Sequence, residues 1–154
     1  MRAFQDNYPD ELSHCYGCGR NNPHGHQLKS YWDGDRTVAR FLPEPCHTAI
    51  PGFVYGGLIA SLIDCHGTGS AAAAMYRAQG REMDNEPPLR CVTAAIKVDF
   101  LAPTPMGVEL VIRGEIEELT QSKAIISVQV FALDTLCVRG RVVAVKMPEV
   151  MRPS

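Results

Sequence analysis

PGFVYGGLIASLIDCHGTGSAAAA, residues 51–74, decides how this chain folds. Proline, aromatic and glycine punctuation gives way to an almost wholly apolar run, which predicts a helix starting near Val54–Gly57 and fading around Arg77–Gly80. A helix apolar on every side has no face to offer water, so the rest of the chain must cover it. Within the run stands a single carboxylate, Asp64. Burying a charge costs several kcal/mol unless it is paired or its pKa moves, which makes Asp64 the first functional candidate. Gly56–Gly57 falls at the helix start, where unpaired backbone N–H groups make a partially positive site suited to an oxyanion. Gly67 and Gly69 weaken the helix locally and mark close packing or a kink.

The flanking segments supply the cover. Gln27–Trp32 and Thr37–Leu42 read as strands joined by the hairpin chemistry of Asp33–Gly34–Asp35. After the polar loop Arg81–Leu89 the pattern turns to period two. Cys91–Leu101 sets Ala94, Ile96, Val98 and Phe100 on one side and Thr93, Ala95, Lys97 and Asp99 on the other. Val108–Glu118, Lys123–Leu133 and Leu136–Met147 continue the meander. The reading is an α+β fold: a curved antiparallel sheet of about six strands wrapped around one long apolar helix, the hotdog architecture. We read residues 1–154 as a single domain, with 1–25 forming an N-terminal arm and a Cys-x-x-Cys turn. Open sheet edges favour self-association into a homodimer or homotetramer.

Composition narrows the function classes. The chain has 154 residues, 45% hydrophobic and 21% charged, with a net charge of −2 that argues against nucleic acid as partner. The N-terminus lacks an apolar signal segment, and Asp64, His66 and several glycines make the helix a poor membrane span. The expected location is cytoplasmic, with the six cysteines as reduced thiols. No glycine-rich phosphate loop is present, so no cofactor is expected. Cys15 and Cys18 have zinc-ligand spacing, with His14, His24 or His26 available to complete a site. One Cys-x-x-Cys without a second is weak, however, and no metal is assigned.

GFVYGGLIASLID resembles the P-G-h-V-H-G-G-x-h-A-x-h-h-D signature of hotdog acyl-CoA thioesterases of the phenylacetate-degradation and THEM type. CYGCGRNNPHGHQL is similar to the opening of many of these proteins, and VTAAIKVDFLAPTPMG to their Thr-bearing strand. The resemblance implies hydrolysis of an acyl-CoA thioester, with Asp64 as general base or nucleophile and the Gly57 amide as oxyanion donor. Thr93 would position the attacking water from the partner subunit, across the interface from Asp64. The chain departs from the signature at Tyr55, which stands where the family has a histidine; its hydroxyl can donate a hydrogen bond to the same oxygen. Gly56, His47 and His66 are candidate substrate-binding residues. His66 lies about 200° round the helix from Asp64, so it reads as a packed or interface histidine rather than the partner of Asp64. Arg90, Lys97, Arg139 and Arg141 are candidates for meeting coenzyme A phosphates. The rival readings are a non-catalytic acyl-CoA or small-ligand binding protein and a hotdog hydratase or dehydratase. The latter needs a histidine–acid pair that position 55 no longer offers.

Overall fold

The computed structural model describes residues 1–153. One helix, α1 (Gly56–Ala78), and six strands make up the regular structure: β1 (Ser30–Asp33), β2 (Arg36–Phe41), β3 (Cys91–Phe100), β4 (Leu110–Leu119), β5 (Lys123–Ala132) and β6 (Thr135–Lys146). Every strand pairing is antiparallel, in the order β1-β2-β4-β5-β6-β3. The helix runs about 35 Å at the usual rise and meets all six strands. This is the hotdog arrangement the sequence implied, with strand limits that differ from expectation by up to three residues.

Two layers suffice because α1 is apolar all round. Leu58, Ile59, Leu62, Ile63, Met75 and Tyr76 are buried against Leu110, Ile112, Ile126, Val130 and Val142 of the sheet. Gly67 marks close packing: a Cβ there would stand 2.6 Å from a Val142 methyl, and the helix continues through it. The β1–β2 hairpin turns at Gly34, whose φ of +66° favours glycine.

Two sequence expectations need correction. Residues 1–12, expected as an arm or loop, are packed rather than free: they form short 3-10 turns that bury Phe4, Gln5 and Tyr8 beside the helix and β1. The strand β3 does not alternate regularly, because its pairing with β6 shifts between Thr93 and Ala95. A bulge of this kind adds one residue and exchanges the faces beyond it. Cys91 and Thr93 reach α1 before the bulge, while Val98 and Phe100 reach the core and α1 after it. Thr93 therefore shares the helix-facing side with Val98 and Phe100 rather than lying in line with Lys97 and Asp99. The latter two form an exposed ion pair.

Candidate active site

The start of α1 is held from behind and open in front. The Tyr55 amide donates to the His47 carbonyl (2.8 Å), and Val54 N–H to the Thr104 carbonyl (2.9 Å). Tyr55 is the N-cap; its carbonyl accepts from Leu58 N–H at 3.1 Å and Ile59 N–H at 3.4 Å. The Gly56 and Gly57 amides donate to no protein group among the described residues, as expected of the first turn of a helix. The Tyr55 ring folds back over Gly57, with Oη 2.7 Å from where a Gly57 Cβ would stand. Glycine at 57 is thus what leaves room for the Tyr55 ring and its hydroxyl at the start of the helix.

Further along the helix, Gly57, Ser61 and Asp64 are spaced i, i+4, i+7 and share one face, the less buried one. The sequence implied a buried Asp64, but it is half-buried and hydrogen-bonded. The Thr93 hydroxyl donates to Asp64 Oδ1 across the space between β3 and α1. The two residues meet within one chain, which corrects the expectation that Thr93 reaches Asp64 from a partner subunit. The bulge in β3 brings Thr93 round to the helix.

His66 is not in this site. It is fully buried, with Nδ1 2.9 Å from Ser30 Oγ and Nε2 3.0 Å from Thr37 Oγ1. Gln5 Nε2 donates to Ser30 Oγ (3.1 Å), and Thr37 Oγ1 lies 2.7 Å from Ser70 Oγ, completing a satisfied internal chain of hydrogen bonds. Burial pushes the imidazole down to about 4, against a weaker opposing contribution from Thr37. The substrate-binding expectation for His66 is corrected accordingly: it joins α1 to the β1–β2 hairpin and the N-terminal turn.

His47 does border the helix start. With Tyr55, Gly57, His26, Phe41 and Tyr16 it lines a cleft of about 500 Å³. The Glu44 amide donates to His47 Nδ1 at 2.9 Å, and the His26 ring stacks edge-on 5.2 Å away. Burial, with a smaller contribution from His47, lowers the pKa of His26. On the other side of the same turn, Ile50, Phe53, Gly56, Ile59 and Phe100 line an apolar groove of about 550 Å³. Sequence reasoning missed Tyr16, His26 and Ser61. The clue available was the Cys-x-x-Cys opening, which folds onto the cleft instead of standing clear of it.

The basic candidates for coenzyme A do not converge. Arg90 is half-buried and stacked 4.3 Å above the Tyr8 ring, Lys97 pairs with Asp99 and Arg141 with Glu117. Among the described residues, no helix is long and apolar enough to cross a membrane.

Comparison with known proteins agrees with the fold. A sequence model described as Thioesterase superfamily matches residues 51–139. A crystal structure of a Thioesterase superfamily protein from Shewanella loihica PV-4 is 54% identical and superposes with a TM-score of 0.69, covering 92% of this chain and 100% of that one. The PaaI protein of the E. coli phenylacetic acid degradation operon is 14% identical, with a TM-score of 0.61 over 75% of each chain, a likeness of fold alone. Acyl-coenzyme A thioesterase THEM4 of Xenopus laevis is 31% identical over 99 residues, 64% of this chain. The chain spans only 39% of the length of that relative.

Proposed function

Since this chain belongs to the Thioesterase superfamily, we propose that it hydrolyses an acyl-CoA thioester to the free acid and coenzyme A. The observation that carries this reading is the Gly57–Asp64 face of α1, with unpaired amides at one end and the Asp64–Thr93 pair at the other. Asp64 is the general base: Thr93 occupies Oδ1, leaving Oδ2 to take a proton from water. Attack on the thioester carbonyl forms a tetrahedral oxyanion, received by Gly57 N–H and the Tyr55 hydroxyl. Collapse breaks the C–S bond, and the leaving thiolate takes the proton held on Asp64.

Distance argues that the site is shared between two copies. Gly57 and Asp64 are about 10 Å apart along the helix axis, too far for one chain to serve both the oxygen and the attacking water of one carbonyl. Two antiparallel α1 helices crossing near Ala60–Ser61 would set Gly57 of one copy against Asp64 and Thr93 of the other. The β3 strand favours such a pairing, since it is a ten-residue edge whose Ile96 and Phe100 are 42% and 56% exposed.

Thiol release from an acyl-CoA panel tests the proposal, with wild type beside Asp64→Asn. The substitution should lower kcat by about two orders of magnitude or more while the protein stays folded. Near-normal turnover in Asp64→Asn, or binding without thiol release by the wild type, overturns it. Single turnover in H₂¹⁸O should place label in the acid product; label in Asp64 would instead mean direct attack by the carboxylate.

A further inference from the structure

The sulfurs of Cys15, Cys18 and Cys65 lie within 4.8 Å of one another, although Cys65 is about fifty residues from the other two. We propose that they form a tris-thiolate zinc site that fastens the N-terminal segment to α1. With Zn–S bonds of about 2.3 Å, the sulfurs of a tetrahedral site are about 3.8 Å apart; Cys15 Sγ and Cys65 Sγ are separated by 3.7 Å. The third ligand is a cysteine of the helix, adjoining Asp64, and none of the histidines that the Cys-x-x-Cys spacing suggested.

The surroundings fit a bound cation in three ways. First, the turn is shaped to the helix: Gly19 N–H donates to the Cys15 carbonyl at 2.7 Å, and a Cβ on Gly17 would collide with Cys65 Sγ. Any side chain at position 17 would push the Cys-x-x-Cys turn away from the third sulfur. Second, Tyr8 Oη is buried and has no hydrogen-bond partner among the described residues. It lies 3.7 Å from where a Gly69 Cβ would stand, one turn beyond Cys65 on the same helix face. A buried, unpartnered hydroxyl on this side of α1 is a donor that a negatively charged cluster would draw in, although no sulfur accepts from it at this position.

Third, Arg90 is half-buried and forms no ion pair with any carboxylate among the described residues. Its guanidinium stacks on Tyr8 and is near enough to feel charge on Cys15, Cys18 and Cys65. A divalent ion held by three thiolates carries one negative charge, which a single guanidinium neutralises. Cys15 is the most accessible of the three, so the fourth coordination position faces its side of the cluster.

The full reduced chain, stripped with a chelator, is loaded with Zn²⁺ alone and, in parallel, with Co²⁺ as a spectroscopic substitute. The expected result is one ion per chain, with three sulfurs at about 2.3 Å by zinc-edge X-ray absorption. Cobalt–thiolate charge-transfer absorbance should fall by about one third or more in Cys65→Ser and remain unchanged in Cys46→Ser. The latter control matters because Glu44, Cys46 and His47 form a second, exposed group of ligand atoms. Two or fewer sulfurs, full absorbance in Cys65→Ser, or loss of absorbance in Cys46→Ser overturns the assignment. So does a Cys15–Cys65 disulfide that persists with Zn²⁺ in excess. The absorption measurement needs no variant, so it decides the question even if Cys65→Ser fails to fold.

Discussion

Protonating His66 should destabilise this protein at mildly acidic pH, by an amount that follows from its lowered pKa. The ring is fully buried, and its pKa is lowered to about 4 from an ordinary 6.5. The folded state holds the imidazole neutral, while the unfolded chain takes up a proton as pH drops below 6.5. The stability contribution of neutral, buried His66 is therefore complete above pH 6.5, declines below it and is fully lost by the time pH falls through about 4. Each pKa unit corresponds to about 1.4 kcal/mol, so the whole contribution is about 3 kcal/mol. Roughly 1.5 units of the difference apply at pH 5, a loss of about 2 kcal/mol relative to neutral pH. The comparison variant is His66→Gln, whose amide keeps a donor and an acceptor but does not titrate.

Urea unfolding at pH 7 and pH 5, at one protein concentration and ionic strength, measures the difference by linear extrapolation. Wild type should lose about 2 kcal/mol more than His66→Gln over that interval. Equal losses in the two proteins would refute the argument, as would an NMR titration placing the His66 midpoint above about 6.

Other outcomes follow from single contacts. Tyr55→Phe removes the hydroxyl beside Gly57 and should reduce kcat for thiol release by about tenfold to hundredfold; an unchanged kcat would mean that only the ring matters. Gly114→Ala would drive a Cβ into Thr37 Oγ1 and to 3.0 Å from His66 Nε2, destabilising the protein by about 1–3 kcal/mol in a thermal melt. Ile96→Asp places a charge on the exposed β3 edge. It should shift the protein toward monomer in sedimentation and lower thiol release in parallel; full activity as a monomer would exclude the shared site.

Much of the fold was legible because its signals are local. The apolarity of residues 58–76 demanded cover, and period-two patterning gave the four strands after residue 90, so helix and strand count followed without tertiary knowledge; the meander reading missed that β3 pairs with β6 at the sheet edge rather than with β4. Gly57 and Asp64 were both candidates from sequence, and their i, i+7 spacing puts them on one helix face; Ser61 between them carried no signal of its own.

Other features depended on residues far apart in the chain. Period two assigned Thr93 to the polar side of β3, but an added residue before Ala95 turned it toward Asp64; a bulge leaves no mark in a hydrophobicity pattern. Asp64 looked buried because its neighbours are apolar, whereas its actual exposure depends on where the sheet stops covering the helix. Cys65 and His66 are adjacent, yet one joins the Cys15–Cys18 turn and the other a chain of hydrogen bonds to Ser30 and Thr37. The sequence by itself determined one apolar helix, its sheet and the candidate face of that helix, since those follow from the spacing of neighbouring residues. Only the tertiary structure decided which distant side chains meet Asp64, Cys65 and His66, because strand register and the docking of the N-terminal turn bring them there.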